Sequence, residues 1–102
     1  MLTVIAKLES DAASIDAMKD AIATMETASL AEPGCFEYTF CTEISNPHVV
    51  RVVELWEDME ALAAHFATPH MATFQAAMAA HPPKSADAKV FQLGEELALP
   101  GA

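Results

Sequence analysis

The stretch His48-Val49-Val50-Arg51-Val52-Val53-Glu54-Leu55-Trp56 decides the fold. Its residues alternate between two rows, and both rows are mostly apolar, which predicts a strand buried on both faces. One row holds Val50, Val52, Glu54 and Trp56, and the other holds Val49, Arg51, Val53 and Leu55. A sheet that contains such a strand needs cover on both sides.

The residues before this strand predict its hairpin partner. Ser45-Asn46-Pro47 is typical of a turn, and the aromatic-rich run from Cys35 to Glu43 alternates like a strand. The alternation places Phe36, Tyr38 and Phe40 together on one face.

The first third of the chain predicts a strand followed by a long helix. Leu2 to Glu9 alternates with the strand period, and Ser10-Asp11 opens a stretch with apolar side chains at helical spacing. Glu32-Pro33-Gly34 ends this helix and turns the chain.

Two shorter helices and a last strand are expected after Trp56. Asp58 caps a helix that carries Leu62 and His65, and Thr68-Pro69 starts a second helix with Met71, Phe74, Gln75 and Met78 inward. We expect the last strand from Ala88 to Leu97.

The predicted order is therefore β-α-β-β-α-α-β, an α+β ferredoxin-like fold with a four-stranded antiparallel sheet. We expect residues 1–97 to form one domain and residues 98–102 to form a flexible tail. The helices suffice for one face of the sheet only. We expect a second copy to cover the other face in an isologous dimer.

Composition narrows the class of protein. The chain has 102 residues, of which 53% are hydrophobic, and a formal net charge of −10, which argues against nucleic acid and anionic membranes as partners. The first residues match neither a signal peptide nor a membrane span, so we expect a cytoplasmic protein. Cys35 and Cys41 are expected to be free thiols.

Polar groups on otherwise apolar surfaces are the candidates for chemistry. Glu54 and His65 could face one cavity and transfer protons; alternatively, Glu54 makes only a structural hydrogen bond. His70 is the second residue of a predicted helix, where it could orient an oxyanion or simply face water. Tyr38 and Trp56 could flank a flat ligand or belong to the core.

Nucleotide and metal sites are not expected. The three glycines form no phosphate-binding loop, and His65 and His70, five residues apart across a helix break, are a weak metal pattern. We predict no metal and no cofactor.

Two segments carry a family resemblance. The chain resembles the antibiotic biosynthesis monooxygenase family, and especially its quinol monooxygenase branch, in Pro33-Gly34-Cys35 through Tyr38 and in Glu54-x-Trp56-x-x-x-Glu60-Ala61-Leu62-x-x-His65-x-x-Thr68-Pro69-His70-Met71. The resemblance implies a ferredoxin-like dimeric α/β barrel that oxygenates quinols or polycyclic phenols with molecular oxygen and without metal or flavin.

The resemblance also implies roles for particular residues. His65 would be the base, Glu54 its orienting partner, and His70 with Trp56 would position substrate or oxygen. Tyr38, Met71 and Phe74 would line the substrate site with Trp56. Haem-degrading members of the family use an Asn, a Trp and a His at the positions that here hold Ala6, His65 and Gln75. Haem degradation is therefore not expected.

Two other functions stay open at this point. The Thr68-Pro69-His70 segment also occurs in relatives that process a phosphorylated signalling sugar without oxygen chemistry, in the manner of an isomerase. The chain could also be a dimer that binds a ligand without turnover.

Overall fold

In residues 1–101, four strands form one antiparallel sheet, and three helices lie against one of its faces. The computed structural model describes residues 1–101. The elements are β1 (Leu2–Glu9), α1 (Ala12–Leu30), β2 (Cys35–Thr42), β3 (Val49–Trp56), α2 (Met59–Phe66), α3 (Pro69–Ala80) and β4 (Ser85–Gln92). The strand order is β2-β3-β1-β4, and the sheet is open. This arrangement confirms the predicted ferredoxin-like fold.

Each helix begins beside the residues predicted to start it. The side chains of Asp11, Asp58 and Thr68 accept hydrogen bonds from the backbone N–H three residues later, which satisfies donors that have no partner inside the helix. Pro69 occupies the first turn of α3, where its missing N–H costs nothing.

The core lies between the sheet and the helices. Its members are side chains that alternate inward from the strands, together with residues of all three helices: Leu2, Val4, Met25, Cys35, Tyr38, Trp56, Leu62 and Met71. Trp56 is fully buried at the end of β3. Burial raises the pKa of the Cys35 thiol to about 11, so this free cysteine is protonated at neutral pH and acts as a small apolar residue.

The prediction that Phe36 shares a face with Tyr38 is wrong. A register shift between Cys35 and Glu37 interrupts the pairing of β2 with β3. An irregularity of this kind turns the side chains on either side of it. Cys35 and Tyr38 are therefore both buried, and Phe36 is 54% exposed.

The last strand lies earlier than Ala88 to Leu97. It pairs with β1 from Ser85, opposite Glu9, to Gln92, opposite Leu2, and it ends where β1 has no further residues to pair with. The next residue, Leu93, donates its N–H to the carbonyl of Met1. Residues 98–101 lie outside the sheet, and Ala102 of the predicted tail lies outside the described residues.

Gly34 adopts a backbone conformation that favours glycine, at a point where the chain packs closely against α2. It follows α1 with a φ of +80°, and a Cβ added there would lie 2.8 Å from the Cβ of Ala61. Its carbonyl accepts the N–H of Glu57, so the turn also joins β2 to the end of β3.

We expect Gly34→Ala to lower the free energy of unfolding by about 1–3 kcal/mol, because an L side chain at this φ is strained and the added carbon overlaps α2. Urea denaturation measures the effect. Gly94→Ala is the matched control, since a Cβ there meets nothing within 4 Å. Equal stability of the two variants would show that the turn carries no such constraint.

Candidate active site

A cavity of about 300 Å³ lies between the helix-facing side of the sheet and the helices α2 and α3. Its volume is in the range of small-molecule sites. All four strands and both helices supply its lining: Ala6, Leu8, Tyr38, Phe40, Val52, Glu54, Phe66, Met71, Phe74, Gln75, Met78 and Ala88. The lining is apolar and aromatic apart from a phenol, an amide and one carboxylate.

Glu54 supplies that carboxylate. It lies on β3 between Val4 of β1 and Tyr38 of β2, and it is only 8% exposed. The indole N–H of Trp56, two residues along the same face, donates to Glu54 Oε1 at 2.8 Å. Burial raises the pKa of Glu54 above its ordinary value, although the Trp56 hydrogen bond and the nearby His65 act in the opposite direction. Glu54 is therefore a carboxylate with increased basicity.

The phenol of Tyr38 stays protonated beside this carboxylate. Burial, followed by the negative charge of Glu54, raises the pKa of Tyr38. The ring packs edge-on against Trp56, with 6.5 Å between the centroids. Tyr38 therefore offers the cavity an aromatic wall and a neutral hydroxyl.

A second polar cluster lies outside this lining. His65 Nδ1 is 2.6 Å and His70 Nε2 is 2.7 Å from the same oxygen, Glu32 Oε2. The two imidazole rings therefore meet at a single carboxylate oxygen of Glu32. His65 is 1% exposed, and its Nε2 has no hydrogen-bond partner among residues 1–101. His70 also borders a cleft between α1 and α3.

The prediction that Glu54 is the orienting partner of His65 is wrong. His65 is oriented by Glu32, and the carboxylate of Glu54 is held by Trp56. Glu32 is not among the predicted site residues, because it belongs to the turn signal Glu32-Pro33-Gly34 after α1. One signal could have identified it: an acidic side chain just after a helix C-terminus is disfavoured by the helix dipole and so needs another partner.

The structure divides the predicted site residues into two groups. Tyr38, Glu54, Met71 and Phe74 line the cavity. Trp56, His65 and His70 do not line it, although Trp56 and His65 pack behind it with 4.8 Å between their ring centroids.

A family profile for antibiotic biosynthesis monooxygenases matches residues 1–77. The chain therefore belongs to the antibiotic biosynthesis monooxygenase family. No curated protein matches the sequence. Among residues 1–101, no helix has the length and apolar character needed to cross a membrane.

Several solved structures share the fold. A candidate antibiotic biosynthesis monooxygenase from Deinococcus radiodurans is 20% identical with a TM-score of 0.90, over 99% of this chain and 100% of that one. Another candidate antibiotic biosynthesis monooxygenase, from Nitrosomonas europaea, is 19% identical with a TM-score of 0.83, over 90% of this chain and 97% of that one. A candidate monooxygenase from Lactobacillus acidophilus is 27% identical with a TM-score of 0.81, over 87% of this chain and 42% of that longer one.

Proposed function

We propose that the protein is a cofactor-independent monooxygenase that oxidises a quinol or polycyclic phenol with molecular oxygen. The observation that carries the proposal is one buried carboxylate, Glu54, in the wall of an otherwise apolar and aromatic cavity. A flat electron-rich substrate fits such walls, and its acidic hydroxyl or C–H group needs a base. Family membership supports the same chemistry.

The reaction balances without an added reductant. Glu54 takes a proton from the substrate, the anion passes one electron to oxygen, and the two radicals combine to a peroxide anion, which recovers the proton from Glu54. Loss of water then leaves one oxygen atom in the product. A naphthohydroquinone gives a hydroxynaphthoquinone and water, and an anthrone gives an anthraquinone and water.

The protein contributes a base and an apolar site. A general base is most effective when its pKa approaches that of the group it deprotonates, and burial moves Glu54 in that direction. Trp56 fixes the carboxylate as a positioning residue. Tyr38, Met71 and Phe74 contact the substrate rings in this proposal. His65 and His70 act at most from behind the cavity wall.

The cavity does not favour a phosphorylated substrate. None of its lining residues in the described part of the chain is Lys or Arg, and its one charged group is an acid. A phosphate would face a carboxylate across an apolar site, where charge repulsion is strong. Isomerase-type processing of a phosphorylated metabolite is therefore the weaker proposal.

Oxygen consumption with naphthohydroquinones and anthrones tests the function. We expect uptake above the autoxidation rate, and we expect Ala88→Phe at the exposed rim of the cavity to lower kcat/KM by at least about tenfold, because a misplaced substrate loses its reactive orientation. Ala86→Phe is the matched control, two residues away on the same face and outside the lining. Equal rates for both variants, or ligand binding with no uptake, would contradict the proposal.

We further propose that the working unit is a homodimer formed through the outer face of the sheet. Ile5, Val53 and Phe91 of neighbouring strands expose 43%, 37% and 48% of their surface on that face. Exposed apolar side chains grouped on one sheet face are suited to an isologous contact between two copies.

We expect the wild-type chain to have the mass of a dimer by light scattering. Val53→Glu, at the centre of the face, should lower the measured mass to the 10.9 kDa of a monomer, because the dimer would bury an unpaired charge. Ile44→Glu, at an exposed apolar position in the β2–β3 loop, is the control. A monomeric wild type, or a Val53→Glu variant that remains dimeric, would disprove the proposed interface.

A further inference from the structure

We propose that Glu32, His65 and His70 bind one divalent first-row transition-metal ion, with Zn²⁺ as the reference case. The site does not depend on the proposed oxygenation, because these three side chains do not line the substrate cavity. It joins three separate parts of the chain: the turn after α1, the last turn of α2 and the first turn of α3.

The three donor atoms already converge. Glu32 Oε2 is 2.6 Å from His65 Nδ1 and 2.7 Å from His70 Nε2, and all three atoms lie within 4.8 Å of one another. A tetrahedral zinc shell separates its ligand atoms by roughly 3.3 Å, given bonds of about 2.0–2.2 Å to nitrogen and oxygen. Side-chain shifts on the order of 1 Å would therefore admit the ion.

The donor set selects the class of metal. Two imidazoles and one carboxylate suit zinc, iron, cobalt, nickel and copper, whereas magnesium and calcium prefer shells of oxygen. Three protein ligands leave a fourth position for water. His70 is the most accessible of the three, with 21% of its side chain exposed, and the cleft of about 240 Å³ beside it offers a route for entry.

The charges around the cluster favour a cation. Glu32 is close enough to Glu54 to raise the pKa of that carboxyl, and Asp20 lines the cleft that His70 borders. The whole chain carries a net charge of −10. A divalent ion would relieve part of this repulsion, and binding to the folded state alone would raise the melting temperature.

Titration of the full, tag-free chain with Zn²⁺ by calorimetry, and with Co²⁺ by visible absorption, tests the proposal. We expect one ion per chain, a higher melting temperature with Zn²⁺, and ligand-field bands from bound Co²⁺. Glu32→Gln and His70→Ala should each lower the affinity by at least about tenfold. His48→Ala and His81→Ala, at exposed histidines outside the cluster, should leave it unchanged.

Several outcomes would overturn the site. They are a wild type that binds no ion, an affinity that is equal in Glu32→Gln and the wild type, or a loss of binding in the His48 or His81 controls. The first would mean that the cluster is a hydrogen-bonded network only. His70→Ala removes a partly exposed side chain, so it keeps the test valid even if Glu32→Gln fails to fold. Oxygen uptake without metal binding would leave the proposed function intact.

Discussion

Glu54→Gln is expected to lower kcat for substrate-dependent oxygen uptake by about 10²–10⁴-fold, the usual contribution of a general base. Glutamine keeps the size of the side chain, and its carbonyl can still accept the Trp56 N–H that Glu54 Oε1 accepts at 2.8 Å. The change therefore removes the base and leaves the cavity. Steady-state rates in an oxygen electrode measure the effect.

Glu37→Gln is the matched control for this variant. Glu37 is an exposed carboxylate on the adjacent strand β2, outside the cavity lining, and its loss should leave the rate within about twofold because it contacts no reacting group. A Glu54→Gln variant that retains the wild-type rate would remove Glu54 from the mechanism and return His65 to consideration as the base.

The pH dependence gives the same assignment a second readout. Turnover needs the Glu54 carboxylate, so kcat/KM should fall as pH is lowered through the raised pKa of this group, with a midpoint above the ordinary value of 4.5. Glu54→Gln should lack that acid limb.

Stability should change in the opposite direction. The folded state holds the Glu54 proton more tightly than the unfolded state does, because the pKa of Glu54 is raised on folding. The contribution of Glu54 to the free energy of unfolding is therefore fully present below pH 4.5 and is lost as the pH rises through the pKa of the folded state.

Trp56→Ala is expected to lower the free energy of unfolding by about 3–5 kcal/mol, the usual cost of removing a buried tryptophan ring. Trp56 is 0% exposed and packs against both Tyr38 and His65. Its loss would also leave the buried Glu54 carboxylate without a donor, which adds a desolvation cost. For a domain of this size the loss is a large share of the usual 5–15 kcal/mol.

Urea denaturation measures this loss, with Phe36→Ala as the control. Phe36 is also aromatic and lies at the start of β2, but it is 54% exposed, so its removal should cost less than about 1 kcal/mol. If the two variants unfolded at the same urea concentration, the ring of Trp56 would not be central to the core.

The fold could be predicted from sequence where local signals agreed with long-range pairing. Asp11, Asp58 and Thr68 each begin a helix by a mechanism that depends only on neighbouring residues. The end of β4 could not be predicted in this way, because Gln92 is the last strand residue only through its pairing with Leu2, at the other end of the chain. The irregularity beside Phe36 likewise depends on the pairing with β3.

The site could be predicted only where its residues lie close together in the sequence. Glu54 is identifiable because an acid interrupts an apolar row of a strand. Its partner Trp56 lies two residues away in that row. Glu32 is separated from His65 by 33 residues, and the contact arises from the way the turn after α1 meets α2. No local spacing encodes such a contact.

Mass spectrometry of the product formed under ¹⁸O₂ tests directly whether the protein transfers an oxygen atom from molecular oxygen to its substrate. With a naphthohydroquinone or anthrone that supports oxygen uptake, we expect one ¹⁸O atom per product molecule, with the second atom in water. A product that carries no ¹⁸O, or one that forms at the same rate under strict anaerobiosis, would contradict it.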